Sequence, residues 1–236
     1  MVGRPILFGH RGAVGYAPEN TLAGFRLALA QGATGLESDA WLAADGIPVL
    51  VHDETIGPRG RRIFVTRLAA GELAAWDVPT LAALYEACGT AFALSLDVKH
   101  EAVATALVAV AEAAGAVERL WLCHDEVAPL VTVRERSRAV RLVHSPDLRS
   151  IRGRFDAHVA ELAGLGIDAL NMRWPAWTPE RVLAVHRNDL RAFAWDANDA
   201  LAFERLMGLG VDGIYSDYPD RLVAAVSAHR GEAGSG

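Results

Sequence analysis

Cysteine is scarce in this chain, which excludes two common classes of small protein. Only Cys88 and Cys123 occur among 236 residues, too few for a disulfide scaffold or a zinc cluster. Cys123 lies in the apolar run LWLC and Cys88 near the end of an apolar helical pattern. We therefore predict two buried, reduced thiols.

Positive charge and long apolar runs are also in short supply. Lys and Arg number 23 against 29 Asp and Glu, for a net charge of −6, which argues against a nucleic-acid partner. The start, MVGRPILFGH, lacks the long apolar segment of a signal peptide, and no run is long enough to span a bilayer. We expect no stable membrane insertion and a cytoplasmic location, while the oligomeric state stays open.

Hydrophobic residues make up 52% of the chain, and many lie in short runs typical of buried strands. Eight such runs occur at 6–9, 35–38, 94–98, 120–124, 140–144, 169–172, 192–195 and 213–216. Helical patterns lie between most of them. This alternation predicts an α/β fold, a (β/α)₈ barrel. A doubly wound open sheet is the main competitor, although no GxGxxG turn follows the first strand.

Capping residues mark the ends of several predicted helices. Asn20 is predicted to cap a helix over 20–31 that Gly32 ends, and Asp199 to cap the last full helix. Thr178 followed by Pro179 predicts an N-cap and a proline at the first helical position. A further helix is predicted over 102–114.

One segment interrupts the alternation after the second barrel strand. Asp45-Gly46 is a turn signal, PVLVHD is a ninth extended run, and a loop rich in Gly and Arg follows. We predict one domain over residues 1–230 with an insertion at about 40–78, and a disordered tail at 231–236.

Acidic side chains gather at the predicted strand ends. Glu37 and Asp39 stand two apart on the second strand, so both project to the same face. Asp97 lies near the end of the third barrel strand, and the carboxyl ends of parallel strands meet at one rim. Three carboxylates in one mouth repel one another, and a hard divalent cation relieves that repulsion. The pattern predicts one Mg²⁺ or Ca²⁺, with Mn²⁺ as a substitute.

Two histidines, His10 and His52, each follow a predicted strand. An unperturbed imidazole has a pKa of about 6.5, so one ring can accept a proton while the other donates. We therefore predict an acid–base pair. Three more histidines near strand ends are secondary candidates, because no carboxylate or arginine motif accompanies them: His100, His124 and His144.

Two cations complete the predicted cluster. Arg11 follows His10, and Lys99 follows Asp97 by two residues. Arginine offers a planar fork to phosphoryl oxygens and lysine a point charge, so we predict a phosphate clamp. Glu19 either orients Arg11 or makes a polar contact of its own.

With these residues assembled, the sequence resembles the glycerophosphodiester phosphodiesterase family. The matching segments are GHRG, APENTLAGF, GLESDAWLAADGIPVLVHDETI, VPTLAALYEAC, LSLDVKH, FAWDAND and GVDGIYSDYPDRL. They extend over nearly the whole chain. The resemblance implies a single TIM-barrel catalytic domain and a metal-dependent enzyme that splits a small-molecule glycerophosphodiester into sn-glycerol 3-phosphate and an alcohol.

The resemblance also implies roles for individual residues. His10 and His52 would perform the acid–base work, and Glu37 and Asp39 would bind the cation. The family's third-strand motif is usually Glu-x-Lys, and here Asp97-Val98-Lys99 takes its place. The aspartate is one methylene shorter, so Asp97 would bind the cation directly, through a bridging water, or with the cation shifted in position. Lys99 would contact phosphate.

Three tryptophans are candidates for the substrate-facing rim. Trp195 either contacts the substrate or belongs to the core. As a substrate contact, it would pack on glycerol carbons or bind a choline group through a cation–π contact. Trp174 and Trp177, in RWPAW, are predicted at the rim because they lie in a loop. Two alternatives to the main function stay open: a lysophospholipase D-type or other phospholipid phosphodiesterase, and a non-catalytic phosphodiester-binding barrel.

Overall fold

Eight parallel strands close into a barrel, as the sequence predicts. The structure is a computed structural model that describes residues 4–99 and 101–233, with side chains for all of these except 101, 152 and 230–233. The described residues form strands β1 (Ile6–Gly9), β2 (Gly35–Leu42), β3 (Pro48–Leu50), β4 (Thr55–Ile56), β5 (Ile63–Phe64), β6 (Ala93–Val98), β7 (Leu120–His124), β8 (Arg141–His144), β9 (Ala169–Arg173), β10 (Arg191–Trp195) and β11 (Gly213–Ser216).

Helices cover the outside of the barrel. They are α1 (Leu22–Ala30), α2 (Ala70–Leu73), α3 (Leu81–Cys88), α4 (Glu101–Ala113), α5 (Val127–Arg136), α6 (Leu148–Ile151), α7 (Phe155–Gly164), α8 (Pro179–Arg187), α9 (Ala200–Leu209) and α10 (Pro219–Ala233). Strand β1 pairs with both β2 and β11, which closes the sheet. A closed parallel sheet buries both faces of each strand, which explains the continuous apolar runs.

Alternate residues of the barrel strands fill its interior. Phe8 stacks on Tyr215 with ring centroids 4.4 Å apart, and Phe193 meets the edge of Phe8 at 5.6 Å. Trp121 lies 4.9 Å from Phe193. These four aromatic rings, which we call the aromatic plug, are buried together in the barrel. The polar interior positions lie farther along the same strands, toward their carboxyl ends.

The predicted helix caps hold in two cases and fail in one. The hydroxyl of Thr178 and the carboxylate of Asp199 accept backbone N–H groups of α8 and α9. Helix α1 is capped by Thr21, not by Asn20 as predicted. Asn20 has a φ of 55° and is buried, and its side-chain oxygen accepts the hydroxyl of Ser38 at 2.6 Å. It therefore joins the first loop to β2 and does not cap the helix.

The segment between β2 and α3 forms a small layer over one side of the barrel. After a turn at Asp45-Gly46, β3 pairs antiparallel with β2, and β4 pairs with β5. Its own apolar cluster includes Val49, Val65 and Leu73. This layer carries His52, two residues beyond β3, to the rim of the barrel.

The ends and the cysteines differ from expectation in detail. Helix α10 includes residues 231–233, three of the six assigned to a disordered tail, and the last three lie outside the described residues. Cys123 is a buried free thiol as predicted, whereas Cys88 is only half-buried. Within residues 4–99 and 101–233, every helix is too short or too polar to cross a lipid bilayer.

Candidate active site

An acidic cluster lies at the carboxyl ends of β2 and β6. Asp39 pairs in register with Asp97, and Glu37 projects from the same face of β2. One oxygen of each carboxylate lies within 4.8 Å of the other two. Glu37 and Asp39 are buried. Burial raises the pKa of Glu37 to about 8, against the lowering effect of His10 and with a further rise from Asp39 and Asp97.

The cluster suits a divalent cation. The Oδ2 atom of Asp39 is buried and accepts no hydrogen bond from the described residues. Three close carboxylates, one with a buried oxygen that accepts no hydrogen bond, are the donor set that hard cations prefer. A cation would also relieve the repulsion that raises the pKa of Glu37.

The first loop brings His10 and Arg11 to this cluster. Arg11 has a φ of 47°, and its backbone N–H donates to the Oε2 atom of Glu37 at 2.8 Å. Gly12 follows with a φ of 87°, and a Cβ there would approach the backbone carbon of Gly24 to 2.7 Å. Only glycine fits at this point, and the tight loop fixes the direction of both preceding side chains.

His10 is held by a carboxylate from the last barrel strand. Its Nδ1 lies 2.6 Å from the Oδ1 of Asp217, and its Nε2 lies 3.8 Å from the Oε2 of Glu37. The amide of Asn198 donates to the other oxygen of Asp217 at 2.9 Å. Burial alone would lower the pKa of His10, but Glu37 and Asp217 raise it to about 9. The contact between Nδ1 and Asp217 leaves the Nε2 of His10 directed toward the acidic cluster.

His52 is also held by a carboxylate, that of the next residue in the chain. Its Nδ1 lies 2.9 Å from the Oδ1 of Asp53, and Arg62 donates to the Oδ2 of the same aspartate at 2.6 Å. The indole of Trp41 donates to the backbone oxygen of His52 at 3.3 Å. These contacts tie the segment after β3 to β2 and leave Nε2 of His52 for another partner.

The two predicted cations both contact the acidic cluster. Arg11 donates to the carboxylate of Glu19 at 2.7 Å, which assigns Glu19 to orienting the guanidinium. The Nε of Arg11 lies 3.6 Å from Asp39, and the Nζ of Lys99 lies 2.6 Å from the other oxygen of Asp39. Arg11 and Lys99 therefore flank one carboxylate and place two positive charges at the mouth.

All eight predicted site residues line one cavity of about 220 Å³. The lining consists of His10, Arg11, Glu37, Asp39, His52, Asp97, Lys99, Cys123, Ser145, Asn171, Trp195 and Tyr215. A larger cleft of about 770 Å³ shares Ser145 and Trp195 with it. Most of the area of this cleft is apolar, from side chains such as Leu148, Met172 and Pro175.

The tryptophans separate into one cavity residue and two packing residues. Trp195 lines both cavities and is 42% exposed. Trp177 is fully buried and donates its indole N–H to the backbone oxygen of Phe193 at 2.8 Å, so the rim prediction for it is wrong. Trp174 packs against the core beneath the guanidinium of Arg205. A short 3₁₀ turn, Trp174–Ala176, replaces the predicted loop, and Trp177 follows it directly.

The secondary histidines take no part in the cavity lining among the described residues. His124 accepts the backbone N–H of Glu126, and His144 is buried against His158. His100 lies outside the described residues.

Sequence reasoning missed three polar residues of the site: Asp217, Asn171 and Ser145. Asp217 directly follows β11, and Asn171 occupies an inward position of β9. The signal that could find them is the rule used for His10: polar residues at or just beyond the carboxyl end of a barrel strand. Their partners, however, lie on strands far away in sequence, such as Asp217 with His10.

The closed barrel, its outer helices and the polar residues at the carboxyl ends of its strands define an enzyme-type TIM barrel. The model of the glycerophosphoryl diester phosphodiesterase family matches residues 10–221. The chain therefore belongs to this enzyme family, which confirms the resemblance found in the sequence.

Individual relatives agree with this assignment over most of their length. A glycerophosphodiester phosphodiesterase of Caldanaerobacter subterraneus is 26% identical over 94% of this chain and 98% of its own. The structure of the Thermotoga maritima glycerophosphodiester phosphodiesterase has a TM-score of 0.82 at 21% identity, covering 94% of this chain and 98% of that one. An Oleispira antarctica phosphodiesterase, solved with the product sn-glycerol-3-phosphate, has a TM-score of 0.80 at 23% identity and covers 95% and 97%.

Proposed function

We propose that this protein hydrolyses glycerophosphodiesters to sn-glycerol 3-phosphate and an alcohol, in a reaction that depends on a divalent cation. His10 and His52 are the acid–base pair of this proposal. The related phosphodiesterase solved with sn-glycerol-3-phosphate supports the substrate class. The substrate is a small molecule, and the reaction needs no macromolecular partner.

One observation carries the proposal: two imidazoles with bound Nδ1 atoms line the same small cavity. Asp217 holds the Nδ1 of His10, and Asp53 holds the Nδ1 of His52. A fixed Nδ1 sets the orientation of each ring and leaves Nε2 to exchange protons with a ligand. One ring would take the proton of the attacking oxygen, water or a glycerol hydroxyl, and the other would protonate the leaving alkoxide.

Arg11 and Lys99 are the proposed phosphate-binding residues. Their charges reach the cavity on the same side, and both are anchored by acidic neighbours, Glu19 and Asp39. A phosphodiester carries one negative charge and gains more on its equatorial oxygens during hydrolysis. Fixed cations aimed at those oxygens favour the transition state over the ground state.

Glu37, Asp39 and Asp97 would hold the divalent cation. The bound cation supplies Lewis-acid neutralisation of phosphoryl charge. Mg²⁺, Ca²⁺ and Mn²⁺ all accept carboxylate oxygens, so the choice among them is part of the experiment. Asp97 retains 45% side-chain exposure, which is compatible with direct contact or with a bridging water.

The test is turnover of a panel of glycerophosphodiesters, with EDTA and with single cations added back. We expect release of glycerol 3-phosphate from glycerophosphocholine, loss of turnover in EDTA, and recovery with at least one cation. Asp39→Asn should abolish the recovery, whereas Asp45→Asn, outside the cavity, should not. Full activity after complete chelation would overturn the cation requirement.

The larger cleft favours a second candidate substrate, a lysophospholipid. Its mainly apolar lining adjoins the small cavity at Ser145 and Trp195. The acyl chain is carried by the glycerol, which keeps the phosphate while the head-group alcohol leaves, and it would bury apolar surface in this cleft. Product analysis separates the two substrates: turnover of lysophosphatidylcholine without turnover of glycerophosphocholine would replace the first proposal by this one.

A further inference from the structure

The wall formed by β9 carries a buried amide with an unpaired atom. Asn171 is 6% exposed, and its Nδ2 donates to the Oγ of Ser145 at 3.2 Å. Its Oδ1 is buried and accepts no hydrogen bond from the described residues. An unpaired buried acceptor costs free energy in folding, so a ligand that pairs with it gains a specific contact.

This amide belongs to the proposed active-site cavity. Asn171 and Ser145 line it together with the acidic cluster, Arg11 and Lys99. The charged residues suit a phosphate and a cation. A phosphate oxygen can only accept hydrogen bonds, so the Oδ1 of Asn171 does not pair with it.

A hydroxyl group matches this wall. It donates to a carbonyl oxygen and also accepts from an N–H or O–H donor, so it fits the amide of Asn171 in either orientation and the hydroxyl of Ser145 as well. The polyol part of a glycerophosphodiester supplies such groups. The hydroxyl of Tyr215, which lines the same cavity, is already paired with the hydroxyl of Ser95 at 3.0 Å. The Oδ1 of Asn171, in contrast, accepts no hydrogen bond from the described residues and can accept one from a ligand hydroxyl.

We propose that Asn171, supported by Ser145, forms a hydroxyl-binding subsite that selects the glycerol moiety of the substrate. This inference rests on the proposed function and extends it to specificity. A site built to pair a substrate hydroxyl discriminates against analogues that lack it, because the protein group is then left unpaired.

The experiment compares Asn171→Leu with the wild type on two substrates. Glycerophosphocholine carries glycerol hydroxyls, and bis(p-nitrophenyl) phosphate carries none. We expect kcat/KM for glycerophosphocholine to fall by roughly tenfold or more, and that for the aryl diester to change by no more than about twofold. Ser145→Ala should give a smaller loss of the same kind.

A binding measurement separates this inference from the proposed function. Calorimetry should show weaker binding of sn-glycerol 3-phosphate to Asn171→Leu and unchanged binding of inorganic phosphate. Wild-type protein that turns over neither diester refutes the proposed function, while the binding comparison still decides the subsite. Equal losses for both substrates, or equal binding of both ligands by variant and wild type, would overturn the subsite.

Two controls exclude a merely structural effect. Asn188→Leu removes the same group at the end of α8, where the amide bonds to the backbone of Ala184 outside the cavity, and should leave the ratio of the two kcat/KM values unchanged. The unfolding midpoint of ligand-free Asn171→Leu should equal or exceed that of the wild type, because the substitution removes a buried unpaired oxygen. A lower midpoint together with parallel losses on both substrates identifies a packing role and contradicts the proposal.

Discussion

Two pairs of histidines lie near the carboxyl ends of the barrel strands, and their surroundings differ. His10 and His52 each present Nδ1 to an aspartate and line the cavity. His144 and His158 face each other instead, with Nδ1 of the first 3.1 Å from Nε2 of the second. The first pair lines the cavity as the proposed proton carriers, and the second pair is part of the packing.

The charges around each pair explain the contrast. Burial and, after it, the neighbouring His158 lower the pKa of His144 to about 4, although the hydrogen bond to the backbone oxygen of Asp125 acts in the other direction. For His10, two carboxylates outweigh burial and raise the pKa to about 9. Position at a strand end is therefore insufficient to identify a candidate proton carrier, and so is a carboxylate partner, since His124 and His158 also have one. What distinguishes His10 and His52 is that they combine such a partner with a place in the lining of the acidic cavity.

The sharpest test of this contrast replaces the cavity histidines. His10→Asn or His52→Asn should reduce kcat by about 10²–10⁴-fold, because each removes a proton carrier. Steady-state assays on glycerophosphocholine measure the loss, and circular dichroism checks the fold. His229→Asn, on the surface of α10, is the matched control and should keep full activity. Wild-type turnover by either cavity variant contradicts the assigned roles, and absence of turnover by the wild type favours a non-catalytic binding barrel.

The aspartate partners should give a smaller effect. Asp217→Asn removes the charge that fixes His10, and we expect a loss of roughly tenfold or more in kcat, chiefly through the orientation and tautomer of the ring. Asp53→Asn should cost less, because Asp53 is 53% exposed and Asp217 is 30% exposed. The pH profile of kcat should shift for Asp217→Asn. An unchanged profile with unchanged kcat would show that the carboxylate contact does not matter.

The buried pair predicts an effect on stability instead of activity. The pKa of His144 is about 4 in the folded protein and about 6.5 in the unfolded chain, so the unfolded chain binds the proton first. The free energy of unfolding therefore falls as the pH drops from about 6.5 towards 4. Charged and titratable neighbours that face the pair are His124, Asp125, Arg154 and Glu161.

His144→Gln should remove this dependence. Between pH 7.5 and pH 5, the wild type should lose roughly 1–2 kcal/mol more stability than the variant. Urea unfolding at the two pH values measures the difference, and the comparison cancels the titration of the active-site carboxylates. Parallel pH dependence of the two proteins would refute the role of His144.

Much of the fold follows from the sequence because local signals agree with the tertiary structure. The predicted strands at 6–9, 120–124 and 213–216 match β1, β7 and β11 residue for residue. Gly32 follows the end of α1 as predicted and has a positive φ. Asn20 shows where this reasoning fails: a good N-cap residue is used to bind Ser38 on a strand that no local signal connects to it.

The site was predictable where residues share a strand or a strand end. Glu37 and Asp39 follow from alternation, and His10 and Arg11 from their place after β1. The contacts of Asp217 with His10 and of Asn171 with Ser145 join separate strands, and their partners depend on barrel closure and register. Sequence spacing does not encode those quantities directly.

The aromatic plug has a consequence for how ligands enter and leave the cavity. Phe8, Phe193, Tyr215 and Trp121 pack together in the barrel interior among the described residues, and Tyr215 also lines the cavity that holds the acidic cluster. Under the proposed function, the substrate and both products would pass through the open side of this cavity, at the carboxyl ends of the strands. A retained phosphate monoester would obstruct the next molecule at that entrance, and competitive inhibition by product becomes the expected kinetic behaviour of this architecture.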